Sequence, residues 1–210
     1  MGLNPTRTVL PNGVTVVAKG SHTTPAVSIL ANVRAGGFAD PPGRDGTAAL
    51  AARMLDRGTR SLPAAAIADD LDGRGASLTV SAGRHQIVVS ATCLADDFDA
   101  VLALVADILR EPVFPESEVT TRRADLISSI RQEEDSPATL AVDAMMRALY
   151  GAHPYARKVR GNLESVNQLS RVDLLAFHGA WFQPSAITLV VVGDVDEGWA
   201  IDAVTNMYKT

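Results

Sequence analysis

Gly46-Thr-Ala-Ala-Leu-Ala-Ala-Arg-Met-Leu-Asp-Arg-Gly-Thr59 is the stretch on which the reading of this chain turns. It follows a Gly/Pro-rich loop, Gly36-Gly-Phe-Ala-Asp-Pro-Pro-Gly-Arg-Asp-Gly46. Its alanines, leucines and methionine predict a helix to about Leu55. Residues at i, i+3 and i+4 share one face of a helix, so Ala49, Ala52 and Arg53 stand together. That face carries two methyl groups and a guanidinium. Methyls donate no lone pair, and arginine stays protonated at any working pH and repels a cation.

Upstream of this helix, Thr8-Val-Leu-Pro-Asn-Gly-Val-Thr-Val-Val17 sets two β-branched runs around Pro-Asn-Gly, the signal of a hairpin turn that needs φ > 0. Pro25 to Ala35 alternates well enough for a strand. Downstream, Ser61-Leu-Pro63 opens a second helix, with Ser61 expected as its cap and Pro63 in its first turn, ending near Gly73-Arg-Gly75. Residues 76–93 give two strands about Ala82-Gly83-Arg84. A helical period runs through positions 98, 101, 102, 105, 108 and 109, and further helices are expected at 115–134, at 137–150 and from the Ser170 cap to Phe182. A strand at 186–193 and a helix at about 197–208 complete the order. Helices grouped between strands, rather than alternating with them, predict an α+β fold: a mostly antiparallel sheet backed by helices.

The 210 residues, 47% of them hydrophobic, suffice for a buried core in one large domain or two small ones. A net charge of −5 and a pI near 5.3, with no basic run interleaved with aromatics, argue against nucleic acid as a partner. The longest apolar run, Ala186-Ile-Thr-Leu-Val-Val-Val192, is far short of the roughly 20 residues of a membrane span. It reads as a buried strand. Cys93 is alone, which leaves no internal disulfide and no cysteine metal site. Met1-Gly-Leu-Asn-Pro-Thr-Arg7 has no apolar signal core, and the compartment is read as soluble, cytoplasmic or periplasmic.

The 46–59 stretch resembles the metal-binding helix of the pitrilysin (M16) family of zinc peptidases, inverted zincins with the motif H-x-x-E-H. There the segment reads like G-x-A-H-x-x-E-H-M-L-x-x-G-T. Gly46, Ala48, Met54, Leu55, Gly58 and Thr59 match, and the three chemical positions fall on Ala49, Ala52 and Arg53. The family's third ligand is a glutamate in a context like V-x-x-E-I-x-x-x-x-D-x-P. Leu126-Ile-Ser-Ser-Ile-Arg-Gln-Glu-Glu-Asp-Ser-Pro137 is similar to it and puts Ser129 there, 129 − 53 = 76 positions after Arg53. Glu133 or Glu134 could offer a carboxylate, but one carboxylate cannot build a zinc site. Leu10-Pro-Asn-Gly13, Arg34-Ala-Gly36, Phe114-Pro115, Tyr150-Gly-Ala-His-Pro-Tyr155, Asp173-Leu-Leu-Ala-Phe177, Trp181-Phe-Gln-Pro184 and Gly193-Asp-Val-Asp196 extend the resemblance over nearly the whole chain.

The resemblance implies a domain like those of M16 metallopeptidases and mitochondrial processing peptidase. Residues 1–210 would form its first, N-terminal domain, with the family's second domain absent from this chain. It implies a catalytically inactive domain, a structural and peptide-binding partner of an active zinc metallopeptidase chain in a heterodimer. Zinc, the family's cofactor, would lack its ligands here, and peptidase activity would come only with a catalytic partner. Two rival readings stay open: an active zinc metalloendopeptidase with a rebuilt site, and a purely architectural subunit like the core proteins of the cytochrome bc1 complex.

Ala76-Ser-Leu-Thr-Val-Ser-Ala82 resembles the family's peptide-holding edge strand, with Thr79, Val80 and Ser81 as the backbone contacts; the plainer reading is a strand covered by a partner domain. Arg53 could meet a substrate carboxylate or an acidic partner, but a surface pair with Asp56 or Asp45 is the simpler expectation. Ala49 and Ala52 read as helix surface facing the former cleft. His85 and His153 share no motif with each other or with Cys93. His22 reads as a turn residue, His178 as helix surface, Cys93 as a small core residue and Glu133-Glu134-Asp135 as a solvated run.

Overall fold

The computed structural model describes residues 4–208, so Met1–Leu3 of the N-terminal heptapeptide lie outside the described residues. The hairpin joins β1 (Thr6–Val9) to β2 (Thr15–Gly20) in antiparallel register. Its turn closes through Gly13, whose φ of +95° lets its N–H reach the Leu10 carbonyl at 2.9 Å. The other strands are β3 (Ala26–Val33), β4 (Ser77–Ala82), β5 (Ile87–Leu94) and β6 (Ile187–Gly193), in the sheet order β1-β2-β6-β3-β5-β4. All neighbours are antiparallel except β2 and β6. The expected α+β architecture, a mostly antiparallel sheet backed by helices, is the one observed.

The helices are α1 (Thr47–Met54), α2 (Ala64–Gly73), α3 (Phe98–Arg110), α4 (Glu116–Glu134), α5 (Pro137–Tyr150), α6 (Leu163–Asn167), α7 (Arg171–Trp181) and α8 (Glu197–Met207). Strand periodicity builds the core: Val27, Ile29, Ala31 and Val33 of β3 and Ile87, Val89, Ala91 and Cys93 of β5 share one buried face. Phe98, Leu102 and Val105 of α3 belong to the same core. Cys93 is thus the small core residue expected, and burial pushes its thiol pKa up.

Several local expectations need correction. Ser61 does not cap α2: Pro63 holds the N-cap position, and the Ser61 hydroxyl donates to the Asp107 carboxylate instead. The short helix α6, absent from the sequence reading, starts at a capping box in which Asn162 and Ser165 satisfy each other's backbone N–H groups. His178 is not a surface residue. Its Nε2–H donates to the Leu109 carbonyl at 2.8 Å and its ring stacks on Phe182, 4.5 Å between centroids. Burial lowers its pKa. Ala49 and Ala52 are also not surface, being 6% and 2% exposed.

Helix α5 is inverted in polarity. Its intermediate positions are Thr139, Asp143 and Met146, and Asp143 pairs inward with Lys158. Ala141, Val142, Ala144, Met145, Ala148 and Leu149 face solvent, and no residue of the helix is buried. A helix on a folded domain ordinarily does the opposite.

Candidate functional site between helix α1 and edge strand β4

Helix α1 is set in place from outside itself. Gly46, at φ +96°, turns the chain into the helix, a conformation that glycine adopts without strain. The Asp40 carboxylate accepts the N–H groups of Gly46 (2.7 Å) and Ala48 (2.8 Å), serving as the cap that the helix lacks locally. Burial pushes Asp40 up to about 6, against the opposing pull of those two N–H groups. Small side chains then let α1 pack against α4, α7 and β4 together, and seven of its eight residues are buried. Arg53 is the exception.

Across from α1 lies β4, one of the two edge strands of the sheet. Gly83 N–H bonds to Gln86 O at the hairpin turn, and the β4–β5 register is unbroken from there. Antiparallel strands alternate bonded and non-bonded pairs, so Ser81 and Thr79 spend their backbone groups on β5. Leu78, Val80 and Ala82 direct theirs to the open edge. Of the three residues expected to make backbone contacts, Val80 is so oriented, while Thr79 and Ser81 are tied inward.

A cavity of about 290 Å³ separates the two elements, lined by Ala49, Ala52 and Arg53 of α1, Val80, Ser81 and Ala82 of β4, and Val159 and Arg160 of a following loop. That loop is held by Arg157, which donates to Asp45 Oδ1 at 3.0 Å, and by Ser165 Oγ, which donates to the Asp45 carbonyl at 2.8 Å. Gly161, at φ +74°, permits the close approach: a Cβ there would sit 2.2 Å from the Asp45 carbonyl oxygen. No local pattern in the sequence marks Val159 or Arg160, since only the long-range clamp brings them to the cavity.

The carboxylates expected to neutralise Arg53 are engaged elsewhere. Asp56 pairs with Arg57 and Asp45 with Arg157. Arg53 makes no ion pair among the described residues. Burial, and then the charge of Arg160, lower its pKa. Glu133 is not simply solvated either, because it pairs with Arg160. Ser129, on α4, does not line the cavity, and its hydroxyl donates back to the Asp125 carbonyl at 3.0 Å. This donor set does not fit zinc, which takes imidazole, carboxylate or thiolate ligands. Among the described residues no three His, Cys, Asp or Glu side chains gather to hold a metal ion.

His85 and His153, unrelated in sequence, meet in an aromatic cluster beside the β4–β5 turn. Both rings pack on Tyr155, at 5.5 and 5.0 Å, and on Phe38, and His85 Nε2 lies 2.8 Å from the Tyr155 hydroxyl. His22, in its expected turn, pairs with Asp194. No helix among the described residues is long and apolar enough to cross a membrane.

Comparison with known proteins places this geometry among relatives. Residues 15–162 match the sequence model of the family described as Insulinase (Peptidase family M16). An uncharacterized zinc protease of Mycobacterium leprae is 28% identical over 190 residues, covering 90% of this chain and 43% of that protein. One from Rickettsia bellii is 24% identical over 201 residues, 96% of this chain and 49% of that protein. The crystal structure of a peptidase M16 inactive domain from Pseudomonas fluorescens superposes with a TM-score of 0.93 at 25% identity, covering 99% of this chain and 50% of that one. The chain thus spans about half the length of the relatives it matches.

Proposed function

The chain belongs to the M16 peptidase family, and on that premise we propose that it is a non-catalytic M16 domain that holds extended peptide for an active zinc metallopeptidase chain. The observation that carries this reading is the pairing of two features on one cavity. Edge strand β4 presents the outward backbone groups of Val80 and Ala82, and the facing helix presents Ala49, Ala52 and Arg53 where the family has its zinc-binding motif. An added strand gains main-chain hydrogen bonds at such an edge without demanding one sequence. The chain holds peptide but has no group here to activate a water.

A second M16-like domain, in the same or another chain, is the partner. The relatives are about twice as long as this chain. The exposed apolar positions of α5, Met145 51% and Leu149 68% exposed among them, give such a domain a surface to cover.

Calorimetric titration with an extended, amidated ten-residue peptide tests the reading, alongside turnover of a fluorogenic peptide with and without chelator. Binding without turnover is expected, and Val80→Pro weakens it, because proline removes an outward N–H while sparing the β4–β5 ladder. Chelator-sensitive turnover by the chain alone would establish the rebuilt-enzyme reading instead. Absence of peptide binding would establish the architectural one.

A further inference from the structure

The cavity between α1 and β4 has the wrong charge for a metal and the right one for an anion. Arg53 and Arg160 both line it, and no carboxylate does. The neighbouring acids are committed: Asp56 to Arg57, Asp45 to Arg157, Glu133 to Arg160 and Asp125 to Arg122. Arg53 projects from a helix that is otherwise buried, makes no ion pair among the described residues, and stands close enough to Arg160 for the two charges to repel. Asp125 offsets part of that repulsion from a distance while paired with Arg122, so a half-buried guanidinium with a like charge beside it and no ion-pair partner of its own is further stabilised by a carboxylate that enters. The volume of about 290 Å³ admits such a group, and the free edge of β4 forms the opposite wall.

We propose that this cavity is a carboxylate-binding subsite: a peptide laid along β4 places a carboxylate against the Arg53 guanidinium, with Arg160, held by Glu133, on the wall beside it. The inference rests on the peptide-holding reading and adds the ligand's chemistry to it. The carboxylate comes from an aspartate or glutamate side chain or from the peptide's C-terminus. The site inverts the electrostatics of a zinc-binding helix, since the position that would accept a cation now attracts an anion.

Four versions of one ten-residue peptide separate the outcomes in calorimetric titrations at low salt: neutral and amidated; neutral with a free C-terminus; amidated with one central glutamate; and amidated with glutamine at that position. At least one carboxylate-bearing version is expected to bind about tenfold tighter than its neutral counterpart, the worth of a charge-assisted hydrogen bond pair. The advantage should shrink as salt rises. Whether the free C-terminus or the glutamate gains identifies the source. Arg53→Gln should bring the carboxylate-bearing peptide down to the affinity of its neutral counterpart on the same variant, and Arg53→Lys should restore part of the difference, because lysine keeps the charge but not the planar fork. Equal binding of all four, or an advantage that survives Arg53→Gln, overturns the subsite and leaves peptide holding standing. Failure of all four to bind overturns both.

Discussion

The carboxylate of Asp40 accepts the backbone N–H of Ala48 at 2.8 Å, so a residue in the preceding loop caps the helix that forms the cavity wall. Because burial raises this carboxyl from 3.8 to about 6, folding takes up a proton between those values. A raised carboxyl pKa means stability in place below pH 4 and lost as pH rises through 6. At about 1.4 kcal/mol per pH unit, the effect is at most about 3 kcal/mol. Urea-unfolding midpoints should therefore show the advantage of the native protein over Asp40→Asn shrinking between pH 4 and 6.5. A difference that stays flat across that range contradicts the assignment.

His178 carries the opposite sign. Burial lowers its pKa below 6.5, so its contribution is complete above pH 6.5 and is lost as pH falls below it. Removing the ring leaves a space beside Phe182 and the Leu109 carbonyl without its donor. His178→Ala should cost about 1–3 kcal/mol at pH 7.5. The same substitution should cost less at pH 5, where the native imidazole pays to stay neutral. An equal cost at both values would mean that the ring titrates as if free.

Two glycines should answer alanine in opposite directions. At Gly161 the φ of +74° and the 2.2 Å approach to the Asp45 carbonyl leave no room for a Cβ, so Gly161→Ala should destabilise by about 2 kcal/mol or more and loosen the wall bearing Val159 and Arg160. Gly179 lies exposed in α7 with nothing within 4 Å of an added Cβ. Gly179→Ala should stabilise by about 0.5–1 kcal/mol. Thermal melts of the two variants decide the matter.

The sequence made visible what is decided within a few residues. Pro-Asn-Gly closes a hairpin because glycine at φ > 0 needs no tertiary help, and Ser170 caps α7 because its partner Asp173 is three residues away. The candidate site was half visible. Helical spacing put Ala49, Ala52 and Arg53 on one face, and they do share a cavity with β4. The same spacing misjudged the partner of Arg53, because Asp45 is taken by Arg157, which arrives from 112 positions along the chain. Ser61 failed as a cap for a similar reason: Asp107 of α3, also distant in sequence, offered its hydroxyl a carboxylate. Local rules hold until a long-range partner competes for the same group.

Helix α5 yields the last prediction, one that reverses the usual order of costs. Apolar truncation normally outweighs loss of a surface ion pair, with buried leucine to alanine costing about 2–5 kcal/mol and exposed pairs contributing at most about 1 kcal/mol. Here Leu149 is 68% and Met145 51% exposed, whereas the Asp143 side chain, at 19% exposure, pairs with Lys158 on the inward face. In the chain alone, Leu149→Ala and Met145→Ala should each cost under about 0.5 kcal/mol, and Asp143→Ala should cost more, about 1 kcal/mol. Leu149→Lys combined with Met145→Glu should leave the urea midpoint almost unchanged and reduce binding of a hydrophobic dye. If either alanine variant cost 2 kcal/mol, α5 would be packed in the ordinary sense, and its outer face could not be the surface left for a second domain.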